Sequence, residues 1–391
     1  MSQSRTATTF APPISAAYRW LDGVDFPPDR ALINVSQAAP VDPPPRALRQ
    51  VMADVALNDD AAHLYGPDLG LPALREALAQ RTQNHYGGTV HANQVAITSG
   101  CNQAFAAALS TITTQSDEVL LPTPWYFNHK MWLDMTGVRA VALPTTADLL
   151  PDLDAAAALI TPRTRAIVLV SPNNPAGVEY PAAHVQALYD LAKSRGLKLI
   201  IDETYRDFDA RTGAPHALFT DPDWPDTLIH LYSFSKAYRL TGHRVGAMIC
   251  AADLLDEAEK FIDSVTICPN QIAQHAALWG INNLDDWLAG ERREILSRRA
   301  AISSGFDHLA QKGWHLRGLG AYFAYVEHPF VLPSDQLAEA LVKQAGILML
   351  PATMFVPDND PSGARHLRIA FANLDHDGIT TLFNRLAPLS F

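Results

Sequence analysis

The chain has 391 residues, 48% of them hydrophobic and 18% charged, which describes a soluble globular protein too long for one compact core and points to two domains. Its 30 basic and 41 acidic residues leave a net charge of −11, which argues against a nucleic-acid surface. Three separated cysteines, Cys101, Cys250 and Cys268, form no CxxC pair, so neither a disulfide framework nor a structural zinc site is expected.

Residues 1–13 lack the apolar core of a signal peptide, and no apolar stretch reaches transmembrane length. A cytoplasmic protein without a membrane partner is expected. Residues 1–45 are rich in Ala and Pro and hold one strand-like run, 31–35. Helical patterns follow at 46–57 and at 72–86, the second opened by Pro72 near the first helical position. Gly66 and Gly70, between them, make no dinucleotide fingerprint, because no strand directly precedes them.

From Gln94 the texture becomes α/β. Short apolar runs at 95–98, 118–121, 138–143, 166–170, 198–201, 228–232 and 245–250 are mostly separated by helical patterns such as 102–113 and 182–195. Runs that are continuous rather than alternating indicate strands covered on both faces, hence a mostly parallel seven-stranded sheet. About a dozen residues join the last two runs, so that connection is expected to be atypical. After Pro269 the chain reads as helical to about Leu309, and an α/β segment with strand candidates at 322–327 and 366–371 closes it. The domains expected are a large one at 46–285 and a smaller α/β one built from 1–45 and 286–391.

In open parallel sheets, ligands sit beyond the carboxyl ends of the strands. Four of those ends carry notable loops: Ser99-Gly100-Cys101, Ser171-Pro172-Asn173-Asn174, Asp202-Glu203-Thr204-Tyr205, and Ser233-Phe234-Ser235-Lys236 with Arg244 eight residues on. Each has an ordinary reading as a turn or a helix cap. Together they fit pyridoxal phosphate. Lys236, desolvated at a strand end, would hold enough neutral amine to form a Schiff base. Asp202 would keep the pyridine nitrogen protonated, and Asn174 and Tyr205 would bond the ring's phenolic oxygen. The phosphate would lie on the helix N-terminus at Gly100 and Cys101, with Ser233, Ser235 and Arg244 around it.

With these residues in place, the sequence resembles the class I/II aminotransferases, the aspartate aminotransferase-like group of fold-type I pyridoxal-phosphate enzymes. The matching motifs are Y-G-x-x-x-G from Tyr65, S-G at Gly100, P-N-N-P-A-G at 172–177, D-E-x-Y at 202–205, S-x-S-K with Arg244, and R-I-A-F from Arg368. They run in the family's order over nearly the whole chain. The resemblance implies that Tyr126 stacks on the pyridine face, with Trp125 a rival one residue away. It implies that Arg368 holds the substrate α-carboxylate, and that Tyr65 reaches the phosphate of a second subunit in a homodimer. Ala38 stands where the family usually has glycine, beside the substrate.

The implied activity moves the α-amino group of an amino acid to a 2-oxo acid by a ping-pong mechanism. A β- or γ-eliminating lyase would use the same cofactor residues, and a ligand-sensing regulator would need a DNA-binding segment for which the stretch before the aminotransferase-like region is too short and not basic enough. In dicarboxylate-specific relatives a partner arginine meets the side-chain carboxylate, but 263–269 here holds no Arg or Lys. A neutral, apolar or aromatic substrate is therefore expected, with Ile14, Tyr18 and Trp20 candidates for its pocket. Arg19 and Arg30 are the cations that could still reverse this.

Overall fold

The computed structural model describes residues 4–391. Strand β1 (Ile33–Asn34) precedes the central sheet, whose strands are β2 (Val95–Thr98), β3 (Glu118–Pro122), β4 (Arg139–Leu143), β5 (Thr164–Val170), β6 (Lys198–Asp202), β7 (Leu228–Ser233) and β8 (Gly246–Ile249). Their order across the sheet is β2-β8-β7-β6-β5-β3-β4. The pairs from β7 to β4 are parallel, and β8 runs antiparallel to both β7 and β2. The reason lies in the short segment 234–245, which cannot span a parallel crossover.

Both faces of this sheet are buried. Ile167, Leu169, Leu199 and Ile201 belong to the apolar cluster on one side, and Ala166, Val168 and Ile200 belong to the cluster on the other. Successive residues of one strand thus enter opposite cores, which is why the runs read as continuous rather than alternating.

The C-terminal part holds more strand than expected. Strands β9 (His315–Gly320), β10 (Phe323–Glu327), β11 (Ile347–Leu348), β12 (Leu350–Pro351) and β13 (His366–Ala370) follow the long helix Asp285–Ala310. An antiparallel sheet has the order β12-β13-β10-β9, and β1 pairs in parallel with β11. The expected strand at 31–35 is reduced to two residues, but its extension is anchored. Val35 N–H donates to Leu348 O at 2.9 Å, and Ala370 N–H donates to Val35 O at 2.9 Å. No helix among the described residues is long and apolar enough to cross a membrane.

Candidate active site

A cavity of about 400 Å³ opens beyond the carboxyl ends of β5, β6 and β7. Lys236, Asp202, Tyr205, Asn174, Arg244 and Arg368 all reach it. Cys101, Tyr126, Ser233, Ser235 and Ala38, also expected, stand on its walls, whereas Gly100 does not line it. Of the two neighbouring aromatics, Tyr126 lines it and Trp125 does not. Tyr65 also stands apart, 80% exposed on the surface.

Asp202 ends β6 and is 4% exposed. Burial alone would raise its pKa, yet the carboxyl is held below the usual range by His129 and by Thr204. Thr204 N–H donates to Oδ1 at 2.9 Å, and His129 Nε2 lies 3.4 Å from Oδ2. The imidazole is itself fixed by stacking on Phe105, ring centroids 3.7 Å apart. His129 was not singled out in the sequence, where it is one of fourteen scattered histidines. Its place three residues after Tyr126, one helical turn away, is the signal that could have found it. Glu203 points to the opposite side of the strand and is closed off by Tyr86 and by His230, whose Nε2 is 2.8 Å from Oε2.

Lys236 sits in the short helix Phe234–Ala237 directly after β7. Its Nζ donates to Ala38 O at 2.6 Å. Burial, followed by the charges of Arg244 and Arg368, pushes the amine down to about 7. Ser233 Oγ accepts from Ser235 N–H at 3.2 Å, so this serine caps the helix as well as lining the cavity. Ser235 Oγ accepts from Arg244 Nη1 at 3.4 Å.

The helix Cys101–Ile112 begins beside Arg244, with Gly100 as its N-cap at φ +87°. A side chain at Gly100 would occupy the volume of the Arg244 guanidinium, and a Cβ at Gly246 would come within 2.6 Å of Cys101 N. Two glycines thus keep open a cradle of helix N-terminal amides and a guanidinium, a site suited to a phosphate.

Arg368 lies in β13, opposite Tyr325 on β10 and Leu350 on β12. It is 2% exposed and makes no carboxylate ion pair among the described residues. Nη1 donates to Asn174 Oδ1 at 2.9 Å and Nη2 donates to Ser36 O, while Nε has no partner among them. Burial lowers its pKa to about 10. A buried guanidinium with an unmatched donor suits a carboxylate. With Asn174 Oδ1 accepting from Arg368, the amide's Nδ2 donor is the group left for a ligand.

Ala38 is 8% exposed and its backbone lies outside the left-handed region, so no conformational need for glycine exists there. Of the three expected side-chain-pocket residues, Ile14 lines the cavity, whereas Tyr18 and Trp20 do not. Tyr18 is exposed and its hydroxyl accepts from Asn34 Nδ2 at 2.8 Å. Neither Arg19 nor Arg30 reaches the cavity, and Arg30 donates to Gln344 O at 3.1 Å. The sequence did not single out Gln37, Phe127 and Asn128, which also stand in the wall.

The model of a family described as aminotransferase class I and II matches residues 30–386. An aromatic aminotransferase from Arabidopsis thaliana is 28% identical over 85% of this chain and 82% of its own length. An arginine–pyruvate transaminase from Pseudomonas aeruginosa is 30% identical over 78% of this chain and 77% of its own. Among solved structures, a single mutant of the Thermus thermophilus aspartate aminotransferase superposes with a TM-score of 0.87 at 24% identity, covering 99% of both chains. The Escherichia coli protein YbdL, described with a methionine aminotransferase function, superposes at 0.88 with 23% identity and full coverage of both.

Proposed function

The chain belongs to the class I and II aminotransferases, enzymes that use pyridoxal 5′-phosphate, and from that membership we propose how its own residues carry out the transfer. The observation that carries the reading is one cavity holding a lysine near neutrality, an ionised buried aspartate and a buried arginine without a carboxylate. Three cations and one acid surround it in a chain of net charge −11, which fits a ligand carrying a phosphate and a substrate carrying a carboxylate.

When bound, the cofactor supplies an electron sink for the charge left at the substrate's Cα. Lys236 would anchor the cofactor, and its neutral amine, once free, would accept and release the proton removed from the substrate's Cα. Asp202 would hold a proton on the pyridine nitrogen, with His129 positioning its carboxylate. Asn174 Nδ2 and the Tyr205 hydroxyl would bond the phenolic oxygen, and Tyr126 would cover the ring face. Arg244, Ser235, Ser233 and the amides after Gly100 would take the phosphate. Arg368 fixes the α-carboxylate with its planar fork, which orients Cα relative to Lys236. The donor would leave as its 2-oxo acid and its amino group would pass to a second 2-oxo acid.

The donor is proposed to be neutral, apolar or aromatic, since no cation beyond Lys236, Arg244 and Arg368 lines the cavity among the described residues. An acidic side chain left without a partner costs several kcal/mol. The test is to mix the yellow holoenzyme with aspartate, methionine, leucine and phenylalanine and follow conversion to the cofactor's aminated form. Methionine, leucine or phenylalanine should convert it with the higher efficiency, and a clear preference for aspartate sinks the assignment. Arg368→Ala should lower kcat/KM for every amino donor about 10- to 100-fold, mainly through KM. Arg368→Lys should restore only part of it, because an ammonium lacks the bidentate geometry.

A homodimer with Tyr65 contributed across the interface is proposed as well. Tyr65, Leu64, Leu57, Val265 and Ile267 are all exposed, an apolar set of the kind that partners cover. Gln271 Nε2 joins the two segments by donating to Leu64 O at 2.6 Å. Co-refolding Lys236→Ala with Tyr65→Ala should yield hybrid dimers with one unmutated site and regained activity. A fully active monomer by light scattering removes the proposal.

A further inference from the structure

The four charged residues of the cavity are committed to the cofactor and to the substrate's α-carboxylate, so selection among side chains falls to the neutral part of the wall. That part has a definite order. Arg368 Cζ lies 5.0 Å from the Phe355 ring centroid, Phe355 lies 5.6 Å from Phe127, and Phe127 lies 5.2 Å from Tyr126. Phe355 is buried behind the wall, so aromatic contacts link the carboxylate anchor to Phe127 and Tyr126, which line the cavity together with Ile14. Two amides line the same cavity. Gln37 is exposed, held through its backbone by Asn373 Nδ2 donating to Gln37 O at 2.6 Å, and its side chain has no hydrogen-bond partner among the described residues. Asn128 directly follows Phe127, and its amide makes only a 3.9 Å contact with the Met131 sulfur. Apolar contact explains neither amide.

We propose that Gln37 and Asn128 determine specificity, selecting substrates whose side chain has an apolar stem ending in a neutral hydrogen-bonding group, with a carboxamide as the simplest case. The proposal rests on the aminotransferase reading above and narrows its neutral class. An acidic end would find no spare cation. A basic end would find no spare acid, since Asp202 is tied to Thr204 and His129. A purely apolar end would strip water from two amides and return nothing, while a carboxamide can donate to one and accept from the other.

The experiment compares glutamine with norleucine, which match in stem length and differ in the polar end. With holoenzyme, kcat/KM for glutamine should exceed that for norleucine by about tenfold, the size expected for one or two neutral hydrogen bonds. Gln37→Leu with Asn128→Leu should bring the ratio to one or below. A binding readout accompanies it: α-methylglutamine and α-methylnorleucine, which have no Cα proton to lose, are titrated against the cofactor's absorbance and should show the same ratio of Kd values. If the double variant loses its cofactor, Gln37→Ala, at an exposed position, is measured in its place and should lower the ratio at least twofold. Norleucine equal to or better than glutamine in an active enzyme, or an unchanged ratio in the variants, overturns this proposal alone. A holoenzyme that no amino acid in the panel converts overturns the transaminase reading and the proposal with it.

Discussion

Replacing Lys236 with alanine is expected to lower the half-reaction by about 10⁴-fold or more, since one side chain supplies both the anchoring nucleophile and the proton carrier. The same variant should lose the covalent protein adduct that borohydride forms with the bound cofactor, while retaining weak binding through Arg244 and the helix amides. No other lysine among the described residues lines the cavity. A persistent adduct in Lys236→Ala would show that another lysine is the anchor. A pH effect follows from the amine's value of about 7. Capture of the cofactor by cofactor-free protein needs the neutral amine, so its rate should rise through about pH 7 and then level off. Stability has the sign of a base depressed on folding. The unfolded lysine titrates near 10.4, so between about 7 and 10.4 the unfolded state binds the extra proton. The cofactor-free protein should therefore gain stability as pH rises across that window, with the full cost present below it. Lys236→Ala should flatten the slope in a series of melts.

What could be read from residue order follows from what each element needs. The inner strands are long, apolar and covered on both faces, so Leu199, Ile200 and Ile201 announce a buried strand whatever packs on them. Strands β11 and β12 are two residues each and too short to show a period. Strand β9 carries Gly318 and Gly320, which lower strand propensity. A Cβ at either would meet the backbone of the Ala176–Gly177 turn, a contact from distant sequence. Lys236, Asp202 and Arg244 could be picked out because several strand-end loops together offer the parts of one site, although each alone has an ordinary reading as a turn or cap. His129, Gln37 and Asn128 could not, because their types are common and only folding sets His129 against Asp202 or turns an amide into the cavity. Ser233 was legible in place but not in full role, since capping a helix and lining a site use the same hydroxyl.

Asp202→Ala should slow the half-reaction by about 10²- to 10³-fold, the range found when a group that stabilises developing charge is removed. The competing role is structural, because the Thr204 N–H bond to Oδ1 is a turn interaction that an aspartate after a strand often makes. Asp202→Asn separates the two. It keeps an oxygen for the Thr204 amide and the same shape, but its other end donates rather than accepts, so it cannot hold a proton on the pyridine nitrogen. If charge is what matters, Asp202→Asn should lose nearly as much activity as Asp202→Ala while melting within a few degrees of the parent. Asp202→Glu should be milder than both, since it keeps the charge and misplaces it. His129→Phe tests the support, keeping the stack on Phe105 and removing the nitrogen 3.4 Å from Oδ2. Without it, the carboxyl should lose part of what holds it below the usual range, so the acid limb of the kcat/KM profile should move to higher pH. A His129→Phe profile that coincides with the parent's would mean that the imidazole only packs. Near-normal turnover in Asp202→Asn would reduce Asp202 to a turn former and leave the ring nitrogen without a partner in this cavity.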